Sequence, residues 1–228
     1  MQRRQCTAGV LAPWIVGSLV GWGPARAGLS EADAASAVRL ALQRASDAAV
    51  ARLGRADGFL GDARLRIGLP PALEKAGDWL RRLGQGRHVD ELVTGMNRAA
   101  EQAVPRALPL LQASVRGLGV DDAVALVRGG DTAVTQFFDR RTRQPLAEAF
   151  GPVVRGVTER LALARRHDEL VTRAARAGLA PGEPQRVDEH VTTRAIDGLF
   201  VVLAEQERQL RANPAAAGHA LLRRVFGR

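Results

Sequence analysis

The chain has 228 residues, a formal net charge of +9, 46% hydrophobic residues and 25% charged residues. This composition is typical of a globular protein with one domain or two small ones, and it excludes collagen-like, coiled-coil and wholly disordered chains. A single cysteine excludes a disulfide scaffold and a zinc site built from cysteines.

The first 27 residues have the pattern of a secretory signal peptide. Arg3 and Arg4 form a basic start, residues 8–20 are apolar, and Ala25-Arg26-Ala27 has the small-x-small pattern of a cleavage site. We therefore expect cleavage after Ala27 and a periplasmic mature protein. The alternative is a retained membrane anchor, because residues 5–25 carry no charge.

The mature part carries a smaller positive charge, since loss of Arg3, Arg4 and Arg26 lowers the formal charge from +9 to +6. No nucleic-acid-binding motif accompanies this charge, and we expect no nucleic-acid partner. No later stretch is long and apolar enough to span a membrane. We expect no integral membrane span after cleavage.

Helical periodicity dominates the first half of the mature chain. Apolar residues spaced by three and four predict a helix from Ser30 to Leu53, a second begins at Pro71, and residues 88–118 form two helices or one kinked before Pro105. Residues 63–69 alternate between apolar and other residues. They predict a short extended segment lying across the helices, or at most a two-stranded piece, and not the start of a sheet.

The second half is also helical in pattern. Asp121 is expected to cap one helix and Thr132 or Asp131 the next, through about residue 140, while Pro145 and the Gly-Pro pair at 151–152 are expected to mark turns. Further helices are predicted over 152–177 and from 188 to before 213, separated by a linker-like loop at 178–186, with a short amphipathic end at 221–226. The predicted fold is an all-α, compact multi-helix bundle, in a single domain over 28–228.

Strong catalytic signatures are missing from the sequence. It contains no Walker A loop, no Gly-x-Ser-x-Gly elbow and no His-Glu-x-x-His motif. The four histidines, at 88, 167, 190 and 219, lie in polar or helix-end contexts and are expected at the surface. We expect no metal and no cofactor.

The first candidate binding cluster lies on one predicted helix. Asn97 and Glu101 are one turn apart, and Arg98 is three residues before Glu101. Neighbouring alanines let another helix approach and bury these polar groups. A buried carboxylate needs a partner, so the cluster is either a structural ion-pair network or a ligand pocket.

Two weaker clusters follow. Asp121 precedes a Gly-Gly turn and a helix start at Thr132, where free backbone N–H groups suit either an anion or ordinary capping. In the last helix, Asp197 precedes an apolar flank that is expected to be buried, whereas the Glu207 and Arg211 pair is expected only to solvate the helix. The candidate ligand-binding residues are Asn97, Arg98, Glu101, Asp121, Thr132 and Asp197.

Several of these residues belong to motifs whose order is specific although each motif is weak. The motifs are Asp57-Gly58-Phe59, Ile67-Gly68-Leu69-Pro70, Met96 to Glu101, Asp121-Asp122-Ala123, Gly129 to Phe138, Phe150-Gly151-Pro152-Val153, Asp197-Gly198-Leu199-Phe200 and Val225-Phe226-Gly227. In this order they resemble the bacterial exported family catalogued as domain of unknown function 4197. The resemblance implies an exported, helix-rich protein of Gram-negative bacteria and implies no activity.

Three functions are compatible with these observations. The first is a periplasmic binding or interaction module whose groove, near Asn97, Arg98, Glu101 and Asp197, receives a peptide, a lipid or a fragment of an envelope polymer. The second is a hydrolase that uses carboxylates such as Glu101, Asp121 or Asp197 as acid and base on an envelope substrate. The third is a structural or assembly protein without a small ligand. The balance of the residues favours a protein that is not an enzyme.

Overall fold

The computed structural model describes residues 31–176, 178 and 186–212, and most of these residues are helical. The predicted signal peptide, Ser30, most of the loop at 178–186, His219 and the amphipathic end at 221–226 lie outside the described residues. The helices are α1 (Glu31–Leu53), α2 (Pro71–Arg82), α3 (Gly86–Ala103), α4 (Ala107–Arg116), α5 (Val120–Arg128), α6 (Ala133–Arg160), α7 (Leu163–Arg176) and α8 (Val187–Ala212), with a 3₁₀ turn at Val104–Arg106 between α3 and α4.

The two long helices α6 and α8 pack against each other, and α3 packs against both. Helix α1 lies against α4, α5 and α8, while α2 and α7 cover α3 from its remaining side. One connected cluster of buried apolar residues joins all of these helices, from Ala35 in α1 to Leu203 in α8. The prediction of an all-α bundle is confirmed.

The residues between α1 and α2, 54–70, form a loop without regular secondary structure that we call the α1–α2 loop. Leu65, Ile67 and Leu69 are buried in it, whereas Arg66 and Gly68 between them are exposed. This is the alternation that the sequence predicted. No described residue forms a β-strand, so the segment stays single and does not start a sheet.

The prediction of turns at Pro145 and at residues 151–152 is wrong, because α6 continues through both prolines. Each proline removes one helical hydrogen bond, and both lie on the exposed side, where water can satisfy the freed carbonyls. Leu146, Phe150 and Val154 recur every four residues on the opposite side and are fully buried. Burial of this stripe offsets the lost bonds and keeps the helix intact.

The predicted long helix over 152–177 is instead divided between α6 and α7. The division falls at Ala162, which has a left-handed backbone conformation with φ of 50°. By contrast, the break predicted before Pro105 is confirmed, because the chain there leaves α3 through the 3₁₀ turn and re-enters a helix at Ala107. None of the described helices is long and apolar enough to span a membrane.

Glycines allow two of the closest approaches in the bundle. A Cβ on Gly198 of α8 would lie 2.6 Å from the ring of Phe59, and a Cβ on Gly95 of α3 would lie 2.5 Å from Leu163. Phe59 is fully buried in the α1–α2 loop. The missing side chain at Gly198 is therefore what lets the loop seat its aromatic ring against α8.

We predict that Gly198→Ala lowers the free energy of unfolding by about 1–3 kcal/mol, because the added methyl overpacks the Phe59 ring. Gly156→Ala of α6 is the matched control, since a Cβ there would meet only the end of the flexible Arg160 side chain, at 3.8 Å. In that helix the change should instead stabilise by up to about 1 kcal/mol. Urea unfolding of both variants checks the prediction, and equal stabilisation of the two would contradict it.

Candidate functional site

Glu101 and Arg98 of α3 hold the first half of the α1–α2 loop. The Glu101 side chain is almost fully buried, and its Oε1 accepts hydrogen bonds from the backbone N–H groups of Phe59 (3.2 Å) and Leu60 (3.5 Å). Arg98 donates to the other oxygen of Glu101 at 2.7 Å and to Asp57 at 2.7 Å. The carboxylate is thus neutralised by the arginine and bound to the loop backbone.

Asn97 of α3 holds the second half of the loop. Its side chain is fully buried, its Oδ1 accepts from the Ile67 N–H at 2.9 Å, and its Nδ2 donates to the Ile67 carbonyl at 2.9 Å and to the Val93 carbonyl at 2.8 Å. An amide side chain here pairs with one residue's N–H and C=O, as a neighbouring strand would. Asn97 therefore satisfies the backbone of a segment that has no strand beside it.

Helix α8 contributes two further attachments of the loop. The His190 Nε2 lies 3.0 Å from the Gly68 carbonyl, and because a carbonyl only accepts, this nitrogen carries a proton and donates it. Glu205 pairs with Arg52 at 2.7 Å and with Arg64, and both arginines also pair with Asp62. The loop is thus joined to α1, α3 and α8 by polar side chains.

The arginines of this network lower the pKa values of two carboxyl groups, those of Asp62 and Glu205. The hydrogen bonds from Arg64 lower the pKa of Asp62 from 3.8 to about 2. Burial acts to raise the pKa of Glu205, but the hydrogen bonds from Arg52 and Arg64 outweigh burial, so that pKa is lowered. Both carboxylates stay ionised at neutral pH and serve as permanent partners of the arginines.

Three of the six candidate residues therefore use their polar groups in hydrogen bonds and ion pairs within the protein. Asn97 and Glu101 are bound to the loop backbone, and Arg98 is divided between Glu101 and Asp57. Of the two interpretations left open by the sequence, the structure supports the structural network. A ligand could reach Asn97 or Glu101 only by displacing the α1–α2 loop.

The helix start at Thr132 does hold an anion, and the anion is a carboxylate of α8. Glu207 is 3% exposed and accepts hydrogen bonds from the backbone N–H groups of Val134 (3.1 Å) and Thr135 (3.0 Å) and from the Thr135 hydroxyl (2.9 Å). Thr132 occupies the N-cap position but makes no side-chain capping bond. Glu207 caps α6 in its place.

Arg211 completes this arrangement at the end of α5. It pairs with Glu207 at 2.9 Å and donates to the carbonyls of Leu126 (3.0 Å) and Val127 (3.4 Å) in the last turn of that helix. Negative charge thus meets a helix N-terminus and positive charge a helix C-terminus, as the helix dipoles favour. The expectation that Glu207 and Arg211 only solvate their helix is wrong.

The carboxylates proposed for hydrolysis lie in different places. Asp121 is exposed in the first turn of α5, where Val120 and not Asp121 begins the helix. Its neighbour Asp122 lies 3.8 Å from Arg141, whereas Asp197 lies 2.9 Å from Arg143. Two residues along α6 are about 200° apart around its axis. Asp122 and Asp197 therefore approach α6 from opposite sides, and Glu101 lies apart from both inside the bundle.

Asp197 borders an open groove between α8 and the α1–α2 loop, which we call the α8 groove. The flank that follows Asp197 is buried as expected, but the Asp197 side chain itself is 41% exposed. The groove has a volume of about 350 Å³, within the range of small-molecule sites. Its polar lining residues are Arg64, Arg66, Glu74, His190, Arg194 and Asp197.

Three charged residues of the α8 groove have no ion-pair partner among residues 31–176, 178 and 186–212. They are Arg66, Glu74 and Arg194, and each is exposed. Arg64 and Asp197, by comparison, are neutralised by residues outside the groove. Sequence reasoning missed these three residues, because nothing in their local pattern distinguishes them from other charges on helix surfaces.

The expectation of surface histidines is wrong for two of the four. His88 is exposed, but His167 of α7 and His190 of α8 are buried, with 5% and 3% exposure. The His167 Nε2 is a buried atom without a hydrogen-bond partner. Within the part of the chain that the structure describes, no three His, Cys, Asp or Glu side chains are placed to hold a metal ion.

We predict that Glu207→Ala lowers the free energy of unfolding by about 3 kcal/mol, because it leaves Arg211, which is only 16% exposed, without its partner and uncaps α6. Thr132→Ala is the control, since this threonine makes no capping bond. It should change stability by less than about 0.5 kcal/mol. Denaturant unfolding measures both, and a larger effect at Thr132 would contradict the assignment of the cap.

Stability should fall on acidification because of His190. Burial lowers its pKa below 6.5, and Arg194 and His167 lower it further, against the opposing effects of the Gly68 carbonyl and Glu74. Below its ordinary pKa the unfolded chain binds a proton that the folded chain does not, so stability is present above that value and decreases as pH falls. His190→Gln keeps an N–H for Gly68 and does not titrate.

The measurement is the free energy of unfolding at about pH 7 and about pH 5, across the range in which histidine titrates. We expect the wild type to lose more stability than His190→Gln over this range. An equal loss in both proteins would assign the acid sensitivity to other groups.

Comparison with known proteins gives one match. The model of a family described as Protein of unknown function (DUF4197) matches residues 28–227, which confirms the resemblance inferred from the motifs. Neither the curated proteins nor the solved structures yielded a match. The family description assigns no activity.

Proposed function

Since the chain belongs to the DUF4197 family, we propose that it is exported to the periplasm and acts there as a binding or interaction module, with the α8 groove as its ligand site. The observation that carries this proposal is the contrast between two sets of polar residues. Asn97, Glu101 and Glu207 are buried and fully engaged, whereas Arg66, Glu74 and Arg194 line one groove with no ion-pair partner among the described residues.

Unpaired charges in a shared concave site favour a ligand that carries charge of its own. A groove of about 350 Å³ suits a small molecule or a segment of a larger one, and a few converging polar groups are what orient such ligands. The apolar residues Leu69 and Val201 also line the groove. They supply contact area next to the charged groups.

A hydrolase is the weaker candidate. Acid and base catalysis on a glycosidic bond needs two carboxyl groups about 5–9 Å apart, facing one cleft. Glu101 is instead bound to the loop backbone, and Asp197 and Asp122, the neighbour of Asp121, pair with arginines on different sides of α6. The remaining acid of the groove, Glu74, would have to act beside Asp197, which is already paired with Arg143.

Export is supported by the sequence of the leader and by the extent of the family match. The match begins at residue 28, which is the first residue after the predicted cleavage site. The preceding residues have the basic start, apolar stretch and small-x-small pattern of a signal peptide. Fractionation of cells expressing the full chain tests this part. We expect the protein in the periplasmic fraction with Gly28 as its N-terminus, and an intact leader on cytosolic protein would refute export.

The binding function is tested on mature protein purified from the periplasm, with mass spectrometry of small molecules released on denaturation. We expect a released ligand from the wild type and at least a tenfold smaller amount from Arg194→Glu. Arg208→Glu is the matched control, because Arg208 is an exposed arginine of the same helix outside the groove. Equal amounts from all three proteins would place the ligand elsewhere, and no ligand would favour a structural protein.

A further inference from the structure

Gly68 lies between two grooves that share a wall. The α8 groove lies on one side, and on the other side is a groove of about 450 Å³ that we call the α2 groove. Arg66, Gly68, Leu69 and Glu74 line both. A Cβ placed on Gly68 would meet no heavy atom within 4 Å. Gly68 therefore leaves open space where the two grooves meet, and a chain-like ligand can pass from one groove to the other close to the Gly68 backbone.

The two grooves differ in charge. Arg66 and Glu74 line both grooves and offset each other, and Arg64 and Asp197 are neutralised by residues outside the α8 groove. Arg194 therefore gives the α8 groove its excess of positive charge. In the α2 groove the acidic residues Asp78, Asp90 and Glu74 outnumber the arginines, and Arg81 alone pairs with both aspartates, at 3.2 and 3.4 Å. The α8 groove thus attracts negative charge and the α2 groove positive charge.

A linear peptide with free ends has the matching polarity. At neutral pH its terminal carboxyl group is ionised and most of its terminal amine is protonated, so opposite charges stand at the two ends of one extended chain. An acyl lipid fits less well, since five of the eight residues lining the α2 groove are charged and half of the twelve lining the α8 groove are charged or polar. The apolar cleft lined by Leu42, Val134 and Leu203 has a volume of only about 10 Å³, which is room for about one water molecule.

We propose that the two grooves together bind a short linear peptide whose main chain crosses Gly68, with its carboxylate toward Arg194 and Arg66 and its amine toward Asp78 and Asp90. This inference rests on the proposed binding function and names the class and direction of the ligand. Arginine binds a carboxylate through two parallel hydrogen bonds, which orients that end of the peptide. Leu69 and Val93 supply apolar contacts near the crossing point.

The test is retention of a pool of random hexapeptides with free ends by the mature protein, measured by gel filtration and mass spectrometry. The same pool with amidated carboxyl ends and acetylated amino ends is run in parallel. We expect the wild type to retain peptides from the free pool and at least tenfold less from the blocked pool. Arg194→Glu should reduce retention of the free pool to the level of the blocked pool.

Gly68→Leu tests whether the ligand passes over Gly68, because a Cβ there meets no atom within 4 Å and the longer side chain obstructs the path between the grooves. Gly130→Leu is the matched control, since Gly130 is also exposed, has open space around a Cβ and lies away from both grooves. We expect at least a tenfold loss of retention in Gly68→Leu and none in Gly130→Leu, with unchanged thermal unfolding in both.

The outcomes separate this inference from the proposed function. Succinate and inorganic phosphate serve as anions without a peptide chain. If binding of either depends on Arg194 but is unaffected by Gly68→Leu, while hexapeptides are not retained, the peptide inference is overturned and the binding function stands. If neither the peptides nor the anions bind, and no ligand is released from periplasmic protein, both are overturned.

Discussion

The α1–α2 loop depends on the hydrogen bonds that α3 makes to its backbone. A buried segment without a strand beside it would leave N–H and C=O groups unpaired, each costing about 1–3 kcal/mol. Asn97 pairs with both groups of Ile67, and Glu101 accepts from Phe59 and Leu60. These bonds make it possible to bury Ile67 and Phe59 without regular secondary structure, and they fix where the loop crosses the bundle.

The same physical solution recurs where α8 meets the ends of α5 and α6. Glu207 binds the first N–H groups of α6 and Arg211 the last carbonyls of α5, so one ion pair on α8 caps two helices that are joined by a glycine-rich link. In both places a side chain of one helix forms hydrogen bonds with otherwise unpaired backbone groups of another element. Buried ion pairs generally add little net stability over apolar packing. Their value here is positional, because each sets how distant parts of the chain meet.

The position of the loop in turn determines which charges remain available. With Asn97, Arg98 and Glu101 engaged beneath it, the outer surface of the loop presents Arg66 and Gly68 between α2 and α8. Glu74 comes from α2 and Arg194 from α8, and the loop residues between them, held to α8 through His190 and the Gly68 carbonyl, complete the lining of the groove. The proposed function thus resides in a surface created by the structural network, and the residues of that network are poor candidates for ligand contacts.

Local patterns in the sequence were sufficient for the helical class, the break at Pro105, the alternating burial of residues 65–69 and the interior placement of Asn97 with Glu101. Each follows from residues within one or two turns, through periodicity, proline geometry or spacing on a helix face. The continuity of α6 through Pro145 and Pro152 did not follow, because the burial that offsets the lost hydrogen bonds is supplied by other helices. The burial of His167 and His190 and the existence of the α8 groove could not be predicted from local patterns either. Glu207 and Val134 are 73 residues apart, and His190 and Gly68 are 122 apart. Only tertiary packing decides such pairs, because a polar residue has the same local pattern whether its partner is water or a distant backbone.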